Sequence, residues 1–524
     1  MHYLDKLVCL LTILLIFSGF TEEKKTHFKP ERVVISGKVL NFSPDKKQVA
    51  LAISRLGVTR DLIYAELDSI GNFSASFESY TSTDVFLQYW TNFLVLTHPG
   101  DSIYVEFDDK QKDRPELLKT IMFSGDAAKT NQDAAIFQRM YYSNAIYNDW
   151  DAKGKAIKVY DLDKYRLYLD TLQQKSRKLY DKFVTDVSPN EETKIWALTN
   201  LEGDYYDALA SYPSEHRRAN NLKNIDWDVP TSYYDPLLKR FPITAPMLMS
   251  GYALSNFINS FHYEYVITKM LDEEANKKYK SWYGFLAPSD IADSLTVNGI
   301  VKYTPDSLLR QLVLAELFSQ KLEHNEIVIF EKYRKVVDQY IKEPFLREPL
   351  LKNYLQTKKR IEHPTFASDV MMKKIDKSSA KQIMDSILLT NKGKVIYLDC
   401  WATWCGPCIS EMPHSKDLMK KMEGKEVAFV YLCLDSEEKS WKASVSKNQI
   451  SGQNYFLTGN QSTDLRKVFD VNAVPYYFLI DKKGTIVEKG SHLRPNLAKD
   501  KIEKLLKKGV TEKPNEYDYL NIKL

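Results

Sequence analysis

The chain has 524 residues, more than one hydrophobic core organises, and length alone implies roughly three to four domains. With 44% hydrophobic and 27% charged residues it has the make-up of a folded globular protein rather than a disordered or fibrous one. A net charge of +4 with acids and bases interspersed offers no basic stripe for a phosphate backbone, so nucleic-acid binding is not expected.

The first element in chain order is an export signal. Lys6 precedes the apolar run Leu7 to Phe17, which gives way to Ser18, Gly19 and the polar stretch Thr21 to Lys25. A run of about eleven apolar residues matches a signal h-region and falls short of the ~20 needed to cross a bilayer. Residues 1–20 are therefore read as a signal peptide. An uncleaved anchor is the alternative, because Asp5 offsets Lys6 and no clean small-x-small cleavage site follows. The protein is expected to be exported, touching a membrane only through this segment if it is retained.

Residues 28–125 are predicted to form a β-rich N-terminal module. Val33 to Leu40, Val49 to Ile53, Phe93 to Thr97 and Ser102 to Phe107 are short apolar or β-branched runs. Asp68-Ser69-Ile70-Gly71-Asn72 and Pro99-Gly100-Asp101 supply turns. Period-two runs between such turns argue a small antiparallel sandwich. Over 126–362 the period changes: Tyr165, Leu169, Leu172, Leu179 and Phe183 line one face of an amphipathic helix. Glycine is scarce and prolines gather at Pro213, Pro230, Pro236 and Pro242, read as breaks between helices. An all-α middle domain follows. Its histidines His216, His262 and His324 lack partners at metal-ligand spacing, so no metal is expected.

Residues 363–510 alternate strands with helices: strand Lys394 to Leu398, helix Cys408 to Met422, strand Val427 to Leu434, helix Glu437 to Lys447, strand Tyr455 to Leu457, helix Ser462 to Phe469. Strand Tyr476 to Ile480, a Lys482-Lys483-Gly484 turn, strand Thr485 to Glu488 and helix Leu497 to Lys507 complete it. A parallel α/β core ending in an antiparallel hairpin is expected. Residues 511–524 are a polar tail.

Five cysteines are few for an exported chain, and Cys400, Cys405, Cys408 and Cys433 share one short segment. A disulfide-stapled scaffold would spread them out. Trp404-Cys405-Gly406-Pro407-Cys408 stands between a strand and a helix. A thiolate at a helix start is stabilised by unpaired backbone N–H groups and the dipole. Cys405 is thus the expected nucleophile, and Cys408, one turn on, can attack a mixed disulfide formed on it. Pro407 suits the first turn, where its missing N–H costs nothing. A zinc site would need a second ligand pair, and haem attachment a His where Ile409 stands. Cys400 and Cys433, in strands, read as buried and inert.

The segment Asp399 to Cys408 resembles the active site of the thioredoxin superfamily, and Glu411-Met412-Pro413 after it resembles the TlpA/ResA-like envelope thiol–disulfide oxidoreductases. Val474-Pro475 ahead of strand Tyr476 to Ile480 is similar to the family's cis-proline segment. The resemblance covers 363–510 and implies a thioredoxin-like fold and disulfide exchange without a cofactor. It also implies cysteine-containing envelope proteins as substrates, an upstream membrane electron donor, and the periplasm or envelope of a Gram-negative bacterium as location. Phe123 to Asp126 and the stretch before it resemble N-terminal modules fused to such domains. By resemblance Trp404, Gly406, Pro407, Val474 and Pro475 form the substrate-binding surface, with Pro475, if cis, leaving the Val474 backbone free to pair with a substrate strand. Asp399 and Glu411 are both candidates to take the proton of Cys408. The Gly-Pro pair adds no cation beside Cys405, which favours a reducing couple; each ~30 mV is about 1.4 kcal/mol. Two other readings stay open: a peroxiredoxin-like thiol peroxidase, disfavoured by Ala402 three residues before Cys405, and an envelope binding or assembly protein with an accessory redox domain.

Overall fold

The computed structural model describes residues 30–507, except 44, 59–60, 145–148, 224–226, 228, 236, 238–242, 282–283, 286, 374 and 376–378. The expected signal peptide and polar tail lie outside these residues. The chain divides into two units, one taking Arg60–Glu264 with the residues up to Arg55 and Glu343–Phe345, the other taking Leu56–Thr59, Tyr265–Lys342 and the residues from Leu346. The helical stretch expected as a single body over 126–362 is thereby shared between the two.

The first unit opens with β1 (Glu31–Leu40), β2 (Gln48–Ile53), β3 (Asp61–Glu66), β4 (Asn72–Ser79), β5 (Thr83–Gln88), β6 (Asn92–Thr97), β7 (Ser102–Asp108) and β8 (Met122–Gly125). These make two four-stranded sheets, β4-β1-β7-β8 and β3-β2-β5-β6. Alternation along β1 buries Val33, Ile35 and Val39, which join Val49, Leu51, Ile53, Val85 and Val95 of the other sheet in one core. Gly37 is required there, because a Cβ would sit 2.0 Å from the Val105 carbonyl oxygen. The second sheet is antiparallel throughout. The first is not, since β1 runs parallel to β7. Alternation decides which face is buried but not the direction of the neighbouring strand, and the long crossover between β1 and β7 permits the parallel pair.

Five helices of this unit matter below: α1 (Ala128–Tyr142), α2 (Trp150–Val159), α3 (Leu162–Val187), α4 (Glu191–Asn220) and α5 (Gly251–Ser260). On α3 the apolar period buries Tyr165, Leu169 and Phe183. Pro213, expected to break the chain, lies inside α4. Proline cannot donate to the carbonyl four residues back, and the Tyr233 hydroxyl donates to that Leu209 oxygen instead, at 2.9 Å.

In the second unit, the short ladder β9 (Lys280–Ser281) and β10 (Gly284–Phe285), helices Ser289–Tyr303 and Ser307–Glu323, and helix Pro344–Glu362 from Leu346 on precede the C-terminal domain. That domain has β11 (Val370–Lys373), α6 (Ala380–Thr390), β12 (Val395–Trp401), α7 (Gly406–Lys421), β13 (Val427–Cys433) and α8 (Glu438–Asn448). It continues through β14 (Gly452–Phe456), α9 (Gly459–Phe469), β15 (Tyr476–Ile480), β16 (Ile486–Gly490) and α10 (Pro495–Lys507). One six-stranded sheet results, β11-β14-β13-β12-β15-β16, parallel from β11 to β12 and antiparallel at β15 and β16. Sequence patterning missed β11 and α6. The latter carries a readable start, Ser379 and Gln382 forming a reciprocal capping box.

Period two along the fully buried β12 sorts its chemistry. Tyr397 and Trp401 join the cluster that holds Cys405 and Cys408, while Ile396, Leu398 and Cys400 join the cluster on the other face. Asp399 falls on the cysteine side, and Cys400 points away from it.

Candidate active site

Cys405 and Cys408 form a disulfide with Cα atoms 5.2 Å apart. Cys405 is the N-cap of α7, and its sulfur accepts the Cys408 backbone N–H at 3.1 Å. On reduction, a thiolate on Cys405 would keep that donor and the other unpaired first-turn N–H groups. Cys408, inside the helix, has no such advantage. Exposure does not favour Cys405, which is 3% exposed against 1% for Cys408. The disulfide tucks both sulfurs into the cluster with Trp401, Met412 and Tyr431, so helix position and not exposure separates the two cysteines.

The surrounding loop is firmly tied. Trp404 is 44% exposed and its indole N–H donates to the Asp435 carbonyl oxygen at 2.8 Å. A Cβ on Gly406 would meet nothing within 4 Å, leaving open space over the first turn of α7. Val474-Pro475 is cis. The pairing of Cys400 with Tyr476 puts Pro475 level with the end of β12 from which the cysteine loop departs.

On the cysteine face of β12 two buried carboxyls, Asp399 and Glu411, interact through their charges. Asp399 is 1% exposed and its Oδ1 has no hydrogen-bond partner among the described residues. Burial, reinforced by the charge of Glu411, pushes its carboxyl well above the usual range. Glu411 is only 7% exposed. Its Oε1 is bound by the Arg494 guanidinium, and its Oε2 is buried without a partner among the described residues. Arg494 enters from the loop ahead of α10 and is half-exposed. The phenols of Tyr397, Tyr431 and Tyr477 are all raised by burial and by the Asp399 charge. The Tyr397 hydroxyl donates to the Leu493 carbonyl oxygen at 2.6 Å.

Sequence reasoning thus named the disulfide, both acids and the Val474-Pro475 segment. It missed Arg494 and the three tyrosines. Tyr477 had a signal: in the antiparallel register it pairs directly with Asp399. Arg494 had none, because no local pattern links a loop arginine to a helix acid 83 positions away. The free thiols are buried; burial pushes Cys433 up to about 12 and Cys400 well above its usual value.

A redox-capable cysteine pair at the start of a helix, packed on a mixed sheet with a buried acid beneath, defines a thioredoxin-like domain. Residues 393–486 match the Thioredoxin-like family model, and the C-terminal region of this chain carries that domain. The chain is 35% identical over 98 residues to a thiol-disulfide oxidoreductase ResA of Bacillus cereus, covering 19% of this chain and 55% of that protein. It is 35% identical over 104 residues to the thioredoxin-like protein YneN of Bacillus subtilis (strain 168), covering 19% and 58%. The chain therefore spans somewhat over half the length of these curated relatives. A solved thiol-disulfide oxidoreductase from Bacteroides fragilis NCTC 9343 aligns at 22% identity and TM-score 0.20, over 22% of this chain and 82% of that one.

Proposed function

We propose that this protein is an exported thiol–disulfide oxidoreductase, working chiefly as a reductase of cysteine-containing proteins in the cell envelope. The observation that carries it is the Cys405–Cys408 disulfide capping α7, with the buried Asp399 carboxyl on the same face of β12, its Oδ1 without a partner among the described residues. The Cys405 thiolate attacks one sulfur of a substrate disulfide; that bond breaks, and the second substrate sulfur leaves and takes a proton. Cys408 gives its proton to Asp399 and its thiolate attacks the Cys405 sulfur. This releases the first substrate sulfur and restores the disulfide seen here. The substrate gains two electrons and the chain loses two, to be returned by a membrane dithiol donor.

Asp399 suits the proton step because a desolvated carboxyl has an affinity closer to that of a thiol than an exposed one does. Glu411, held by Arg494, acts through its charge. Trp404, Gly406, Pro407, Val474 and Pro475 frame the substrate surface. Export rests on the Leu7 to Phe17 run, and no helix among the described residues is long and apolar enough to cross a membrane.

The test is trapping. Full-length Cys408→Ser should accumulate mixed disulfides with a disulfide-containing protein substrate, resolved on non-reducing gels, and Cys405→Ser should not. Equal trapping by Cys405→Ser would reverse the assignment, and no exchange in the unmutated chain would end the reading.

A further inference from the structure

The first unit contains cavities that disulfide exchange leaves without a role. One of about 770 Å³, beside α3 and α4, holds its charged groups in internal contacts, Arg177 pairing with Glu202 at 2.6 Å and Asp170 accepting the Tyr205 hydroxyl at 2.6 Å. Two others, of about 690 and 320 Å³, share a wall made of Tyr141, Trp150, Leu201, Asp204 and Tyr252. The smaller one is further lined by Asp149, Asp207 and Glu215 against a single cation, Lys153.

Two of these acids are held by neutral donors. Asp204 accepts the Tyr141 hydroxyl at 2.7 Å and Asp207 accepts the Ser260 hydroxyl. Asp204 keeps contact with solvent through the cavity, yet protein crowds it, and that burial together with the Asp207 charge pushes its carboxyl up to about 6. Lys153 offsets only part of the negative charge: Glu215 has Arg218 at 3.8 Å, which leaves Lys153 against Asp149, Asp204 and Asp207. The aromatic side is equally unfinished. Trp150 is 70% exposed although it borders both cavities, and its ring already carries the Lys153 ammonium 5.6 Å from its centroid. Tyr165, fully buried at the cavity edge, has a hydroxyl with no partner among the described residues, and that hydroxyl feels the charges of Glu215 and Asp207.

We propose that this cavity binds an alkylammonium group, its charge between Asp204 and Asp207 and its stem against Trp150 and Tyr252. Carboxylates supply the charge, and an indole face adds the quadrupole attraction that a neutral group would not feel. An anion is excluded by the acids, and an uncharged apolar ligand would leave them uncompensated in a crowded site. The Tyr165 hydroxyl supplies a further oxygen to an ammonium proton. Such a group comes from a lysine side chain of a peptide or from a free aliphatic amine; the chemistry at the cavity is the same.

Titration calorimetry and saturation-transfer NMR on the full chain test it with three probes: Nα-acetyl-lysine methylamide, butylammonium and the neutral Nα-acetyl-norleucine methylamide. Both cations should bind saturably and the norleucine probe should not. A lysine probe tighter than butylammonium assigns the peptide source, and the reverse order assigns the free amine. Asp204→Asn, which keeps the shape, should weaken the cations at least ~10-fold, and Trp150→Ala several-fold, with thermal unfolding checking that both variants are folded. Norleucine binding as well as lysine, an Asp204→Asn variant that binds like the parent, or no saturable binding of either cation would overturn the proposal.

Discussion

The two units each crowd a pair of carboxyls together, and the pairs are handled differently. In the C-terminal domain Asp399 is pushed up by burial and by the charge of Glu411; in the first unit Asp204 is pushed up by burial and by the charge of Asp207. Asp399 is closed off at 1% exposure, and its companion is pinned by Arg494. Asp204 opens into a cavity of about 320 Å³, where it accepts the Tyr141 hydroxyl and feels the Lys153 charge. Enclosure is the difference that matters. A dry carboxyl can be relieved by nothing larger than a proton, which suits it to a thiol next door. A carboxyl with a cavity in front of it can be relieved by a ligand that brings its own positive charge.

The largest expected effect separates the pairs by reaction rate. Asp399→Asn keeps the shape and removes the titrating group, so resolution by Cys408 should slow by up to about 10²-fold. Stopped-flow exchange from pH 5 to 9 measures this, and Asp204→Asn in the same assay should leave the small-disulfide rate unaltered. Equal losses in both variants would erase the distinction. A smaller effect concerns Glu411. Its charge raises Asp399, so Glu411→Gln should lower the proton affinity of Asp399 and move the corresponding limb of the pH–rate profile to lower pH, with a rate change of less than about 10-fold. A limb that moves upward, or rate and pH dependence lost in Glu411→Gln while Asp399→Asn is unaffected, would give the proton step to Glu411.

The smallest effect is on stability. An acid whose folded-state affinity is raised binds more protons folded than unfolded, so its contribution is full below the unfolded value and is lost as pH rises through the folded one. For Asp204 that window runs from 3.8 to about 6; for Asp399 it starts at 3.8 and extends further up. Denaturant titrations across pH 4 to 8, with the disulfide intact, should show both Asn variants losing less stability than the parent as pH rises. The gain should be greater for Asp399→Asn, because solvent in the cavity screens Asp204. A greater gain for Asp204→Asn would mean that its cavity is the drier site.

Most of what is encoded locally was legible, although α6 with its Ser379–Gln382 capping box was passed over. The strand–loop–helix around Cys405 is encoded within a few residues of the cysteines: β-branched and aromatic residues make β12, the Cys-Gly-Pro-Cys run caps α7, and period two sends Asp399 and Cys400 to opposite faces. The apolar faces of β1 and α3 follow from spacing in the same way. Features that depend on which distant segment becomes a neighbour were not legible. The parallel β1–β7 pair, the survival of α4 through Pro213 by a hydroxyl from Tyr233, the Arg494 clamp on Glu411 and the meeting of Trp150 with Asp204 all join residues far apart in the chain. Local backbone preference and periodicity act over a turn or a strand and so are written in the sequence. Burial, charge pairing and cavities arise when separate elements pack, and the tertiary structure decided them.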